Sequence, residues 1–131
     1  MAHLLLIEDD AHFLGLLERH LVQNGHQVET AEDGLVATKV MEQQTFEAII
    51  TDILMPGRDG LEVLRQVRAS ENDVPVIAIS GGGQWFKSDP LLAAAKSFGA
   101  RHVLRKPFDF AELDELIEGL SDVSGEGNAE R

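Results

Sequence analysis

Glu8, Asp9, Asp52, Ser80 and Lys106 each follow a short apolar run in this 131-residue sequence, and their types are those of a reactive site. Singly, each has a plainer use. Glu8-Asp9-Asp10 is the kind of acidic cluster that caps a helix N-terminus and opposes its dipole. Asp52 and Ser80 would serve as loop or cap residues, and Lys106 as a solvated surface charge. Together they make an acidic pair, a lone Asp, a hydroxyl and an ammonium. Two or three carboxylates gathered within about 5 Å repel by roughly 3 kcal/mol per pair at an effective dielectric near 20. Three such pairs cost on the order of 10 kcal/mol, comparable with the stability of a whole domain. Some of the groups must then take up protons or share a cation. Oxygen ligands without His or Cys favour Mg2+, which keeps waters and leaves positions for a phosphate. The set suits phosphoryl transfer onto a carboxylate. Asp52 attacks the phosphorus, charge is offset by Mg2+, and Ser80 with Lys106 holds the equatorial oxygens of the transferred group.

Bringing these residues together is the task of the elements between them. Apolar runs of strand length at 4–7, 28–30, 48–51, 76–79 and 102–104 alternate with helix-period segments at 11–24, 35–43, 61–70, 91–98 and 110–120. The first, third and fourth runs are continuously apolar, as parallel strands covered on both faces should be. One helical face carries Phe13, Leu14, Leu17 and Leu21, another Leu61, Leu64 and Val67, and the last Leu113, Leu116, Ile117 and Leu120. Gly25 sits where the first helix would stop, and Asp33-Gly34 and Asp59-Gly60 have turn and helix-start chemistry. Five β–α units predict an α/β fold, a five-stranded parallel sheet with right-handed crossovers and helices on both faces. Such sheets bind ligands outside the carboxyl ends of their strands. In the doubly wound order 2-1-3-4-5, strands one and three flank the topological switch point, which brings Glu8 and Asp9 beside Asp52. Residues 3–120 form the expected domain, and the small polar residues 121–131 a flexible tail.

Composition narrows the function. Hydrophobic residues at 44% and charged residues at 26% are those of an ordinary globular domain. No cysteine is present, which excludes thiolate metal sites and thiol catalysis. The net charge is −12, and residues 109–131 carry eight acidic side chains against one basic. Nucleic acid and anionic membrane surfaces both call for a basic patch, so neither is an expected partner. The apolar runs are too short to span a bilayer and no secretion signal is visible, which predicts a cytoplasmic location. The five histidines include no pair at helical ligand spacing.

The pieces LLLIEDD at 4–10, IITDILMPGRDGLEVL at 49–64, VPVIAIS at 74–80, GA at 99–100 and LRKPF at 104–108 stand in a fixed order. In that order and spacing they resemble the receiver domain of two-component response regulators, over residues 3–120. The resemblance implies the flavodoxin-like (βα)5 fold with Asp52 as phosphoacceptor. Mg2+ would be bound by Asp9 directly, by Glu8 through water, by Asp52 and by the backbone carbonyl of Leu54. Ser80 would be the switch hydroxyl and Lys106 the phosphate-contacting lysine, with a cis bond before Pro107. The implied donor is a phosphohistidine on a sensor histidine kinase or a histidine phosphotransfer protein. A downstream protein would read the face formed by the fourth helix, fifth strand and fifth helix. The chain would not be an enzyme beyond assisting its own phosphorylation and dephosphorylation.

The chain departs from the family's commonest pattern at three places. Val103, preceded by His102, stands where an aromatic usually flips inward, so the usual aromatic switch is missing; His102 is expected to be a surface histidine. The loop between Ser80 and Leu91 contains Gly81-Gly82-Gly83 and is longer than usual. It is no nucleotide loop, because Phe86 precedes Lys87-Ser88 where glycine is needed; it is expected to reorder on phosphorylation and present Trp85 or Phe86. Leu54 and Gly82 cannot orient a hydrolytic water, which predicts slow loss of phosphate. Leu54 also argues against an aspartyl phosphatase, which would carry a second Asp there. Glu8-Asp9-Asp10 argues against a flavin site, because it would repel a phosphate. With no effector after Leu120, the expectation is a stand-alone receiver, the alternatives being a fragment of a larger regulator or a degenerate receiver serving as an adaptor.

Overall fold

The five apolar runs form one parallel sheet in the computed structural model: β1 (His3–Ile7), β2 (Gln27–Ala31), β3 (Ala48–Asp52), β4 (Val76–Ser80) and β5 (His102–Arg105). Their order is β2-β1-β3-β4-β5, as expected for the doubly wound fold. Between and after them lie α1 (Ala11–Gln23), α2 (Gly34–Gln43), α3 (Gly60–Ala69), α4 (Ser88–Ser97) and α5 (Phe110–Glu126). The structure describes residues 2–53, 60–69, 73–80, 88–97 and 99–126.

Alternation along each strand splits the core in two. Leu4, Leu6, Ala48, Ile50, Ile77 and Ile79 pack with Leu14, Leu17 and Leu21 of α1 and Leu113, Ile117 and Leu120 of α5. Their chain neighbours Leu5, Ile7, Ile49, Val76 and Ala78 pack with Ala37 of α2, Val63, Leu64 and Val67 of α3, and Ala95 of α4. This two-sided burial is why β1, β3 and β4 show no polar alternation. β2, at the edge, alternates exposed Gln27 and Glu29 with half-buried Val28 and Thr30. The register sets Leu6 against Ile50 and Ile50 against Ile77, so the central strands end level with one another.

Local signals fix the element ends. Asp10 caps α1 by accepting from the N–H groups of His12 and Phe13, and Asp33 caps α2 by accepting from Val36. At the start of α5, Glu112 Oε1 accepts from the Asp109 N–H at 3.1 Å, one half of a capping box. His20 Nε2 lies 2.9 Å from the Asp114 carboxylate and its ring packs on Phe110, which ties α1 to α5.

Two boundaries differ from expectation. α4 begins at Ser88, ahead of the expected residue 91, because Ser88-Asp89-Pro90 is helix-start chemistry and proline is tolerated in a first turn. The connection to β4 is shorter accordingly, and residues 81–87, with the glycine run, Trp85 and Phe86, lie outside the described residues. α5 continues to Glu126 and takes in part of the expected tail. No Gly or Pro interrupts residues 121–124, so nothing there stops a helix.

Gly99 joins α4 to β5 with φ 107°, a conformation that side chains disfavour. Its lack of a Cβ also admits Arg68, whose Nη2 donates to the carbonyls of both Val74 and Gly99 at 3.0 Å. A Cβ at Gly99 would lie 2.6 Å from Arg68 Nε. Gly99→Ala is expected to lower stability by about 1–3 kcal/mol in urea unfolding, and an unchanged midpoint would refute this account.

Candidate functional site

The ends of β1, β3 and β5 bring Glu8, Asp52 and Lys106 to one pocket at the carboxyl edge of the sheet. Asp52 ends β3 and is buried, because the strand is covered on both faces to its final residue. Glu8 follows β1 and is 2% exposed. Its N–H donates to the Ala31 carbonyl at 3.1 Å, which holds the end of β1 against β2. Lys106 follows β5, and its Nζ donates to Glu8 Oε1 at 3.3 Å and to Asp52 Oδ2 at 3.2 Å. The Lys106-Pro107 peptide is cis, as the resemblance implied. The other oxygen of Glu8 accepts from the Asp10 N–H at 3.1 Å. Thr51, fully buried, donates its hydroxyl to the Asp52 carbonyl at 3.0 Å.

Glu8, Asp9 and Asp52 each offer an oxygen, and these atoms lie within 4.8 Å of one another. Glu8 and Asp52 are buried, while Asp9 is exposed and opens the group to solvent. Burial first, and then the Asp52 carboxylate, push Glu8 up to about 7, although Lys106 and the Asp10 N–H pull the other way. Burial alone would lower Lys106; the carboxylates of Asp52 and Glu8 outweigh it and hold the ammonium above its usual value. Among the described residues, one ammonium stands against three carboxyl groups, an excess of negative charge. An all-oxygen donor set with one solvent-facing member fits a hard divalent cation, with Glu8, Asp9 and Asp52 as its holders.

Of the residues singled out from sequence, Glu8, Asp9, Asp52 and Lys106 meet in this pocket. Asp10 does not: its carboxylate is taken by the N–H groups of α1, so the acidic run divides into two pocket residues and a cap. Ser80 closes β4 opposite Arg105, at the same edge of the sheet. Its side chain, and Leu54 with its carbonyl, lie outside the described residues. Val103 is partly buried against the cluster of α2, α3 and α4. His102 is half-buried rather than on the surface, and burial, then Arg101 and Lys96, lower its proton affinity. Sequence reading missed Phe13, assigned there only to the core face of α1. Its ring lies under the Lys106 ammonium, 4.3 Å from Nζ to the centroid. The available signal was its place in the first turn after Asp10, at the same end of the sheet as the acids.

The sequence matches the family model of the response regulator receiver domain over residues 4–118. It is 35% identical over 117 residues to the transcriptional regulatory protein TctD of Salmonella typhimurium, covering 89% of this chain and 50% of that protein. It is 38% identical over 116 residues to the transcriptional regulatory protein PrrA of Mycobacterium bovis, covering 88% of this chain and 48% of that one. The chain thus spans about half the length of the curated relatives it matches, which gives the stand-alone expectation no support. The fold superposes on the response regulator protein TrrA of Thermotoga maritima, solved in complex with Mg2+-BeF, with a TM-score of 0.76. The identity there is 31%, covering 92% of this chain and 99% of that one. Sheet order, acidic pocket and sequence pattern agree: the chain belongs to the response regulator receiver domain family.

Proposed function

We propose that the chain receives a phosphoryl group on Asp52 from a phosphohistidine of a sensor histidine kinase or histidine phosphotransfer protein. The observation that carries this reading is the placing of Lys106 Nζ between the buried Asp52 and Glu8 carboxylates, with Asp9 within reach of both. A carboxylate oxygen of Asp52 attacks phosphorus. The P–N bond breaks, its electron pair leaves with the donor imidazole, and the new P–O bond makes an acyl phosphate. Mg2+ held by Asp9, Asp52 and the Leu54 carbonyl, and by Glu8 through water, would supply charge compensation at the transferred group. Lys106 and the Ser80 hydroxyl donate to its oxygens.

Output is proposed through protein contact at the face of α4, β5 and α5, without the aromatic switch, since Val103 replaces it. The net charge of −12 disfavours nucleic acid as a direct partner of this segment. No helix among the described residues is long and apolar enough to cross a membrane, and a cytoplasmic site of action is part of the proposal. The chain is read as a self-assisting phosphoacceptor rather than an enzyme, with residues 3–120 as its domain.

Incubation with acetyl phosphate should add one phosphoryl group by intact mass, only with Mg2+ present and not in Asp52→Ala. No gain in wild type would overturn the reading. Leu54→Asn, which restores a side chain able to orient water, should shorten the lifetime of the phosphorylated form; an unchanged lifetime would remove Leu54 as the cause of slow decay. Stability should respond to pH through Glu8. Its folded value near 7 lies above the ordinary 4.5, so the native state binds the extra proton. Without Mg2+, wild type should therefore lose up to about 3 kcal/mol relative to Glu8→Gln as pH rises from 4.5 to 7. His26 and His102, both lowered chiefly by burial, act in the opposite sense, and the comparison with Glu8→Gln cancels them. Mg2+ at pH 7 should restore wild type, as read by thermal melting.

A further inference from the structure

Phe13 has no part in the chemistry described above, yet its ring carries the ammonium of the pocket lysine. The 4.3 Å separation of Lys106 Nζ from the ring centroid is within the range over which an aromatic face attracts a cation. The ring is held in place from two directions. The Phe13 N–H donates to Asp10 Oδ1 at 3.3 Å, so the loop bearing Glu8 and Asp9 also sets the start of Phe13. Phe108 meets the ring edge-on at 90° with centroids 6.1 Å apart, and Phe110 lies 6.4 Å away. Phe108 is two residues beyond Lys106, so the segment that supplies the lysine also buttresses the ring.

We propose that Phe13 is a positioning residue for phosphoryl transfer, its ring holding the Lys106 ammonium at the acceptor pocket while Asp52 exchanges its contact with the lysine for the incoming group. This inference rests on the receiver reading. Of the three N–H donors of Lys106, two are directed at Glu8 Oε1 and Asp52 Oδ2. When Asp52 becomes an acyl phosphate, the second of these partners loses its charge. The side chain of Lys106 is 23% exposed, so water is the competing environment. A ring face that attracts the ammonium irrespective of the state of Asp52 keeps it beside the new phosphoryl oxygens. Leucine would fill the apolar space without that attraction.

The test compares wild type, Phe13→Leu and Phe13→Tyr. Two readouts are taken: the rate of Mg2+-dependent phosphorylation by acetyl phosphate, and the NMR shifts of the Lys106 ε-protons. In wild type and Phe13→Tyr the ring current should move those protons upfield, and in Phe13→Leu they should return to the position of a solvated lysine. Phe13→Leu should be phosphorylated about fivefold more slowly, with Phe13→Tyr restored to within about twofold of wild type. Equal rates in wild type and Phe13→Leu would overturn the proposal. So would equal slowing in both variants, which marks a packing role, or ε-proton shifts that do not distinguish ring from leucine. A wild type that takes no phosphoryl group overturns the receiver reading and this proposal with it, whereas an unimpaired Phe13→Leu overturns this proposal alone.

Discussion

The crowding of Glu8, Asp9 and Asp52 at the carboxyl edge of a buried sheet is the constraint to which the rest of the molecule answers. Carboxyl oxygens within 4.8 Å of one another oppose folding unless something positive or a proton joins them. Lys106 supplies part of the answer and Glu8 another, by holding its proton up to about pH 7. The remainder is negative charge that a hard cation would offset. A pocket built this way carries more negative than positive charge among the described residues, and a divalent cation is the kind of ligand that would offset it.

The scaffold makes that crowding tolerable by burying large apolar side chains on both faces of β1 and β3 right up to the acids. Leu4, Leu5, Leu6, Ile7, Ile49 and Ile50 are at most 1% exposed. Burial of each such side chain stabilises the fold by roughly 2 kcal/mol, which offsets the repulsion concentrated a residue or two further along. The sheet edge is thus a place where strong stabilisation and strong destabilisation are adjacent in the chain, and the second is specific to charge state.

The sequence made most of this legible, for identifiable reasons. Short apolar runs gave the strands, two of them followed by acids, the strand order placed their ends, and Glu8, Asp9, Asp52 and Lys106 met as that order required. What could not be read was which member of an acidic run would turn away. Asp10 differs from Asp9 only by position, and its fate was decided by the N–H groups of a helix start. Phe13 was hidden for a related reason: a residue on the rim of a helix's apolar face satisfies the core periodicity while its ring serves the neighbouring pocket. The ends of α4 and α5 were missed because apolar period alone starts a helix at Leu91, leaving the capping chemistry of Ser88-Asp89-Pro90 unread, and because residues 121–124 were weighed by polarity although they hold no helix breaker.

The unbroken Leu4-Leu5-Leu6-Ile7 run of β1 has a consequence for how the chain finds its alignment. A strand with one oily and one wet face announces its register, because a slip by one residue exchanges the two; β1 announces nothing of the kind. Its alignment must come from its ends. At one end the His3 N–H reaches Glu47 Oε1 and the Glu47 N–H returns to the His3 carbonyl. At the other, a slip of one place would carry Glu8 into the hydrophobic layer or withdraw it from Lys106. The acidic end of the strand therefore doubles as its alignment mark, and a chain stripped of those acids would lose specificity of pairing.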